Sequence, residues 1–307
     1  MAHLSLNKFS GVHVAMNSCY DDKGEVSPAA AGQLTRFLIG KGVDGLYVGG
    51  GTGEGILQSV DERKMMLEAV LEANDGRVTV TAHIGANTTK DSVQLARHAE
   101  QAGADAVSSI PPFYYSYTEE AVKAYWNSMM DSCSLPFIIY NIPAATGFHM
   151  SNTMLKEMLG NEKLLGMKTT TFNVYELQQF KAIGGDRFLL FNGPDQQYLA
   201  GRIMGASAGI GGTYGAMPEL FVRLEREFRA GNVDEAQRLQ FVINEIITDI
   251  RAIGLFAAVK ELVKLRGIDC GTPRLPLPAA KLSDGPAIRE IYEKIMKHVR
   301  ECEPSVT

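Results

Sequence analysis

The stretch Gly45–Lys64, GLYVGGGTGEGILQSVDERK, contains a whole structural unit in miniature. A short apolar run of Leu46, Tyr47 and Val48 falls into three consecutive glycines. A helix signal follows, because Ser59 with Glu62 three residues later has the spacing of a capping box. Strand, glycine turn and capped helix, in that order, read as one βα unit. Glycines directly after a strand mean that the backbone comes close to something, either a bound anion or the neighbouring chain.

The same unit recurs along the chain. Runs rich in Val, Ile and aromatics appear as GVHVAM, DGLYVGG, RVTVTAHIG, DAVSSIPP, PFIIYNIP, LLGMK, FLLFNG and SAGIGG. Continuous apolar runs of this length suit strands buried on both faces, as parallel strands are. Helix starts fall between them: Ser27 before Pro28, and Asn173 with Glu176. Eight alternations point to an α/β fold, a closed (βα)8 TIM barrel. A doubly wound open sheet also alternates, but with about five or six strands. Beyond Gly215 the strand signal stops, and MPELFVRLEREFRAG, NVDEAQRLQFVINEIITDIRAI, LFAAVKELVKLRG and AIREIYEKIMKHVREC read as helices. The expected organisation is a barrel over residues 1–229 and a C-terminal helical extension, 230–307, packed on it.

Composition narrows the function. The 307 residues carry 30 Lys and Arg against 35 Asp and Glu, a net charge of −5. No basic block stands out, so neither nucleic acid nor an anionic membrane is an expected partner. Cys19, Cys133, Cys270 and Cys302 are widely spaced and read as free thiols of a reducing compartment, with no zinc-type spacing and no metal site expected. The first residues lack a basic start followed by an apolar core, and no apolar run approaches the roughly 20 residues of a membrane span. These features lead us to expect a soluble, cytoplasmic protein.

In a βα barrel, chemistry collects where the strands end. Gly51 and Thr52 follow the second run, Tyr140 ends the fifth, and Lys168 ends the sixth. Asn192, Gly193 and Asp195 follow the seventh, and Gly211, Gly212 and Thr213 follow the eighth. A lysine that terminates an apolar strand is either desolvated in the barrel mouth, and then a nucleophilic amine, or snorkels to solvent. Tyr140 is either a proton relay beside that amine or a core aromatic. The glycine turn lacks both GxxxxGK[ST] and GxGxxG, so a nucleotide phosphate is not expected there. Its successive N–H groups and the Thr52 hydroxyl would instead form a nest for a carboxylate, or the glycines merely allow tight packing. Lys260 belongs to a helical pattern and reads as a surface lysine, and His83 reads as a satisfied core histidine.

The segments YVGGGTGEGILQS, PPFYYSYTEEA, FIIYNIPAATG, GMKTTT, FNGPDQQ and GIGGTYGAMPE resemble, in order, the N-acetylneuraminate lyase and dihydrodipicolinate synthase superfamily. The likeness runs from about Gly11 to Pro278. It implies a homotetrameric barrel that uses a lysine imine with pyruvate and needs no cofactor. It implies Lys168 as the imine-forming lysine and Tyr140 as the proton relay, with Gly51 and Thr52 at the pyruvate carboxylate. Thr170, Gly193, Asp195, Gln196 and Gly212 would meet the sugar portion, and Tyr114 would serve subunit contacts and the relay. Dihydrodipicolinate synthases have an arginine where this chain has Ala145, and an apolar residue there resembles the sialic acid lyases. The implied reaction is reversible cleavage of N-acetylneuraminate to N-acetylmannosamine and pyruvate. The alternatives are another pyruvate-dependent aldolase or synthase, or a barrel that binds a keto acid without turning it over. The chain departs from the family pattern at Gly51 (usually Ser or Thr), at Gln196 (usually Glu), at Gly212 (often Ser) and at Ser18-Cys19-Tyr20 (usually Thr-Pro-Phe).

Overall fold

A computed structural model describes residues 6–302. The reading of the N-terminus as free of a secretory signal rests partly on residues 1–5. Those lie outside the described residues, as do 303–307 of the expected extension.

Eight parallel strands close into a barrel in chain order. They are β1 (Gly11–Ala15), β2 (Gly45–Val48), β3 (Thr79–His83), β4 (Ala106–Ser109), β5 (Phe137–Asn141), β6 (Leu164–Thr169), β7 (Leu189–Asn192) and β8 (Ala208–Gly211). The helices between them are α1 (Pro28–Gly40), α2 (Val60–Asn74), α3 (Thr89–Ala102), α4 (Glu119–Ser132), α5 (Pro143–Thr146), α6 (Asn152–Met158), α7 (Val174–Gly184) and α8 (Tyr198–Ile203). After β8 come α9 (Pro218–Arg229), α10 (Val233–Ile253), α11 (Leu255–Leu265) and α12 (Gly285–Cys302). The capping signals act as the sequence predicts. Ser27 caps α1 with Pro28 at its first turn, Ser59 and Glu62 form a reciprocal capping box, and the Asn173 side chain accepts from the Glu176 N–H.

The core has two parts. Inside the barrel lie Phe9, Tyr47, Ile138, Tyr140, Phe191 and Ile210, while Phe137 and Ile139 of β5 face the helices in a larger cluster. This is the period-2 alternation of a strand buried on both sides. His13 fills the barrel base, and its ring occupies the place where a Cβ on Gly45 would sit 2.1 Å from Nδ1. Burial lowers the His13 pKa to about 4.

Lys260 corrects the sequence reading. It is not a surface lysine: it is buried, and its Nζ lies 2.8 Å from Oε1 of the equally buried Glu54. The approach falls outside hydrogen-bonding angles, so the contact is an ion pair, and Nζ also donates to the Thr272 carbonyl at 3.1 Å. The amine sits 4.4 Å from the centre of the Tyr20 ring. Glu54 Oε2 accepts from the Arg274 N–H at 2.7 Å. The helical period that suggested a solvated face could not reveal a partner from a distant turn. The four cysteines form no disulfide. Among the described residues, no helix is long and apolar enough to cross a membrane.

Two predictions follow from this packing. Lys260→Met strands a buried carboxylate and lowers the urea midpoint by the equivalent of about 3–5 kcal/mol, whereas Glu54→Leu with Lys260→Met recovers much of the loss. His13 stays neutral in the fold but protonates in the unfolded chain below about pH 6.5. Its contribution is therefore present above that pH and is lost as pH falls through about 4, up to about 3 kcal/mol. His13→Asn should flatten the acid limb of stability against pH.

Candidate active site

The site begins with strand register. Tyr140 of β5 pairs with Lys168 of β6, and Ile138 pairs with Gly166. The pairing slips by one residue between Phe137 and Ile138, which leaves Leu165 as an extra residue in β6. A bulge of this kind switches which face later side chains occupy. Here it turns Lys168 inward at the level of Tyr140. The Lys168 Nζ lies 4.0 Å from the centre of the Tyr140 ring and 4.8 Å from that of Tyr47, and the side chain is 4% exposed. Tyr47 packs edge-on against Tyr140 and donates to Ser108 Oγ at 2.9 Å, and burial pushes its ionisation well above the ordinary range.

Beneath the amine, His83 is fixed as a neutral ring. Its Nδ1 meets the Gly49 carbonyl at 3.1 Å, and its Nε2 accepts from the Ile110 N–H at 3.3 Å. Burial, then the charges of Arg63 and Lys168, hold its pKa well below the usual value. Arg63 is buried beside it and donates to the carbonyls of Gly85 and His83.

The glycine turn leads from β2 to the cavity. Gly49 has φ +72°, which favours glycine, and a Cβ on Gly55 would lie 1.9 Å from the Gly49 carbonyl. Glu54 also takes the left-handed conformation, at φ 54°, anchored by Lys260. The Ser18 hydroxyl donates to the Gly53 carbonyl at 2.5 Å, so the Ser18-Cys19-Tyr20 departure braces this turn. The N–H groups of Gly51 and Thr52 reach no backbone acceptor among the described residues, which leaves them available to an anion. A Cβ on Gly51 would meet nothing within 4 Å, whereas one on Gly212 would meet Thr52 Oγ1 at 2.5 Å. Thr52 therefore fills the space that a serine at 212 would need.

A cavity of about 260 Å³ brings together Lys168, Tyr140, Gly51, Thr52, Thr170, Gly193, Asp195, Gln196 and Gly212. Gly193 is packed so closely that a Cβ would lie 2.1 Å from Thr170 Oγ1 and 2.8 Å from the Thr169 carbonyl. Asp195 Oδ2 accepts from both the N–H and the hydroxyl of Thr213, at 2.8 and 2.5 Å, so only Oδ1 faces other partners. Burial raises the Asp195 pKa, with the Thr213 bonds and the Lys168 charge acting in the opposite sense.

Tyr114 is not brought to this cavity. It lies on the loop after β4 with φ 82°, 89% exposed, and packs edge-on against Tyr115. Ala145 is exposed on α5 and leaves the cavity wall to Ile142. Sequence reasoning missed Phe172, Ile247, Arg251, Leu255 and Phe256, which complete the wall. Of these, Ile247 and Arg251 had a readable signal: they share one face of the helical pattern in α10. Among the described residues, no three His, Cys, Asp or Glu side chains cluster as metal ligands.

A buried amine on a strand end, beside a tyrosine and a turn that presents N–H groups, is an arrangement suited to carbonyl chemistry on an anion. The sequence profile of the dihydrodipicolinate synthetase family matches residues 8–295, and the chain belongs to that family. It is 41% identical over 295 residues to the N-acetylneuraminate lyase of Mediterraneibacter gnavus, covering 95% of this chain and 94% of that protein. It is 36% identical over 290 residues to the N-acetylneuraminate lyase of Rhizobium meliloti, covering 94% and 96%. The structure of wild-type sialic acid aldolase from Ruminococcus gnavus superposes with a TM-score of 0.95 at 40% identity, covering 96% of this chain and all of that one. A catalytic lysine mutant of the same aldolase superposes at 0.96, with 39% identity and 97% and 99% coverage.

The two glycines separate by experiment. Gly193→Ala forces a Cβ against backbone and should lower stability by about 1–3 kcal/mol, whereas Gly51→Ala should stay within about 0.5 kcal/mol of the parent. Urea denaturation of both variants checks the difference.

Proposed function

We propose that this protein is a Schiff-base aldolase that cleaves N-acetylneuraminate reversibly to N-acetylmannosamine and pyruvate. The observation that carries the reading is the buried Lys168 amine, 4.0 Å from the centre of the Tyr140 ring in a cavity that also holds the Gly51–Thr52 turn. The similarity to lyases of that name over nearly the whole chain supports the sugar assignment.

The residues take these roles. The Gly51 and Thr52 N–H groups and the Thr52 hydroxyl hold the substrate carboxylate. Lys168 Nζ adds to the C2 carbonyl of the open-chain sugar and loses water to form an imine, which carries the positive charge when protonated. Tyr140, with the substrate carboxylate, takes the proton of the C4 hydroxyl. The C3–C4 bond then breaks, its electron pair passes toward the iminium nitrogen to give an enamine, and the aldehyde leaves as N-acetylmannosamine. A proton returns to C3, water hydrolyses the imine, and pyruvate is released with Lys168 regenerated. The iminium nitrogen accepts the electron pair itself, so the scheme calls for no cofactor. Thr170, Gly193, Asp195, Gln196 and Gly212 would line the sugar side. Gln196 in place of a carboxylate gives a weaker acceptor for a sugar hydroxyl.

The absence of a guanidinium at Ala145 argues against a dihydrodipicolinate synthase, which would need a bidentate donor for a second carboxylate. The residue 230–307 extension belongs, in this reading, to the enzyme and not to a separate module, because α10 and α11 wall the cavity. We propose a homotetramer, with the exposed Tyr114 and Tyr115 at a subunit contact, and a cytoplasmic location consistent with four free thiols.

Borohydride reduction in the presence of pyruvate should add a stable mass increment to the peptide containing Lys168, and Lys168→Ala should abolish both adduct and turnover. Tyr140→Phe should retain the adduct while kcat falls by about 10²–10⁴. An adduct on another lysine, or none with pyruvate present, would overturn the imine assignment. Turnover of aspartate semialdehyde alone in a substrate panel would overturn the sugar assignment.

A further inference from the structure

We infer that Arg251 is a specificity-determining residue that holds the polyol end of the aldehyde half of the substrate. The inference rests on the aldolase reading above and adds to it the group that recognises the sugar's distal end.

The placement comes from one face of α10. Gln240 Nε2 donates to the Asp195 carbonyl at 3.2 Å, and Asn244 Nδ2 donates to the Gln196 carbonyl at 3.0 Å. Ile247 and Arg251 follow at helical spacing and line the cavity. At 1.5 Å per residue, Arg251 stands about 10 Å further along the helix axis than Asn244. The face that fixes the Asp195–Gln196 turn therefore carries a guanidinium beyond it. Two residues later α10 ends, Gly254 turns the chain at φ +127°, and Leu255 and Phe256 finish the wall.

Among the described residues, nothing answers the charge on Arg251. The acids on neighbouring turns of α10, Glu245 and Asp249, both pair with Lys294. Arg251 forms no ion pair or hydrogen bond among the described residues and is solvent-exposed where it borders the cavity. With the carboxylate at the glycine turn and C2 at Lys168, the rest of the substrate extends away from both. Its far end is a row of hydroxyls. A planar guanidinium presents paired donors that match two adjacent hydroxyl oxygens, and Gln196 on the adjoining turn offers an amide. A short aldehyde has no hydroxyls at that distance.

The test compares condensation of pyruvate with N-acetylmannosamine and with glyceraldehyde. In Arg251→Ala, the preference for N-acetylmannosamine, as the ratio of kcat/KM values, should fall roughly ten- to hundredfold, mainly through KM. Arg251→Lys keeps the charge without the fork and should recover only part of the preference. An unchanged ratio, or an equal fall for both aldehydes, would overturn the role and leave Arg251 a structural residue. Borohydride trapping separates this failure from that of the aldolase reading. An unchanged ratio with pyruvate still reduced onto Lys168 refutes Arg251 alone. No adduct in the unaltered enzyme refutes the aldolase reading, and the role of Arg251 with it.

Discussion

The structure turns on the register between β5 and β6. A closed parallel barrel fixes which residues of neighbouring strands stand level, and the single extra residue at Leu165 sets the phase of everything after it in β6. Because of that bulge, Lys168 projects into the barrel mouth opposite Tyr140, where an in-phase strand would aim it at the helices. An amine in this place is shielded from water and faces two aromatic rings. The proposed chemistry depends on that placement, because the amine must meet the substrate's carbonyl while Tyr140 and the glycine turn stand beside it.

A second constraint holds the other half of the site. The turn that leaves the Gly51 and Thr52 N–H groups without a backbone acceptor among the described residues is irregular backbone, with positive φ at Gly49 and Glu54. Such a conformation persists when its surroundings over-determine it. Those surroundings are the Glu54–Lys260 pair, the Arg274 N–H on Glu54, the Ser18 hydroxyl on Gly53 and the His83 ring on Gly49. The C-terminal helices thus contribute twice. Lys260 of α11 anchors the turn from behind, while α10 supplies part of the cavity wall.

Much of the fold was legible because each βα unit carries its own punctuation. Apolar runs, caps at Ser27, Ser59 and Asn173, and glycines after strands are local signals, and local signals survive in a single chain. The strand-end rule likewise led to residues that share one cavity, since barrel closure alone brings strand ends together. What stayed hidden depends on partners far apart in sequence. Lys260 looked solvated because nothing in its helix announces Glu54. The bulge at Leu165 is visible only once β5 supplies a register. Tyr114 points outward from the chain, so any role it has at the site needs a neighbouring subunit. Arg251 went unremarked because a charge near a helix end ordinarily faces water.

The most direct test is a crystal structure of the protein soaked with pyruvate. The account predicts continuous electron density from Lys168 Nζ to C2 of the ligand, with the ligand's carboxylate within hydrogen-bonding distance of the Gly51 and Thr52 N–H groups. Pyruvate bound without that covalent link, or with its carboxylate held elsewhere, would contradict it.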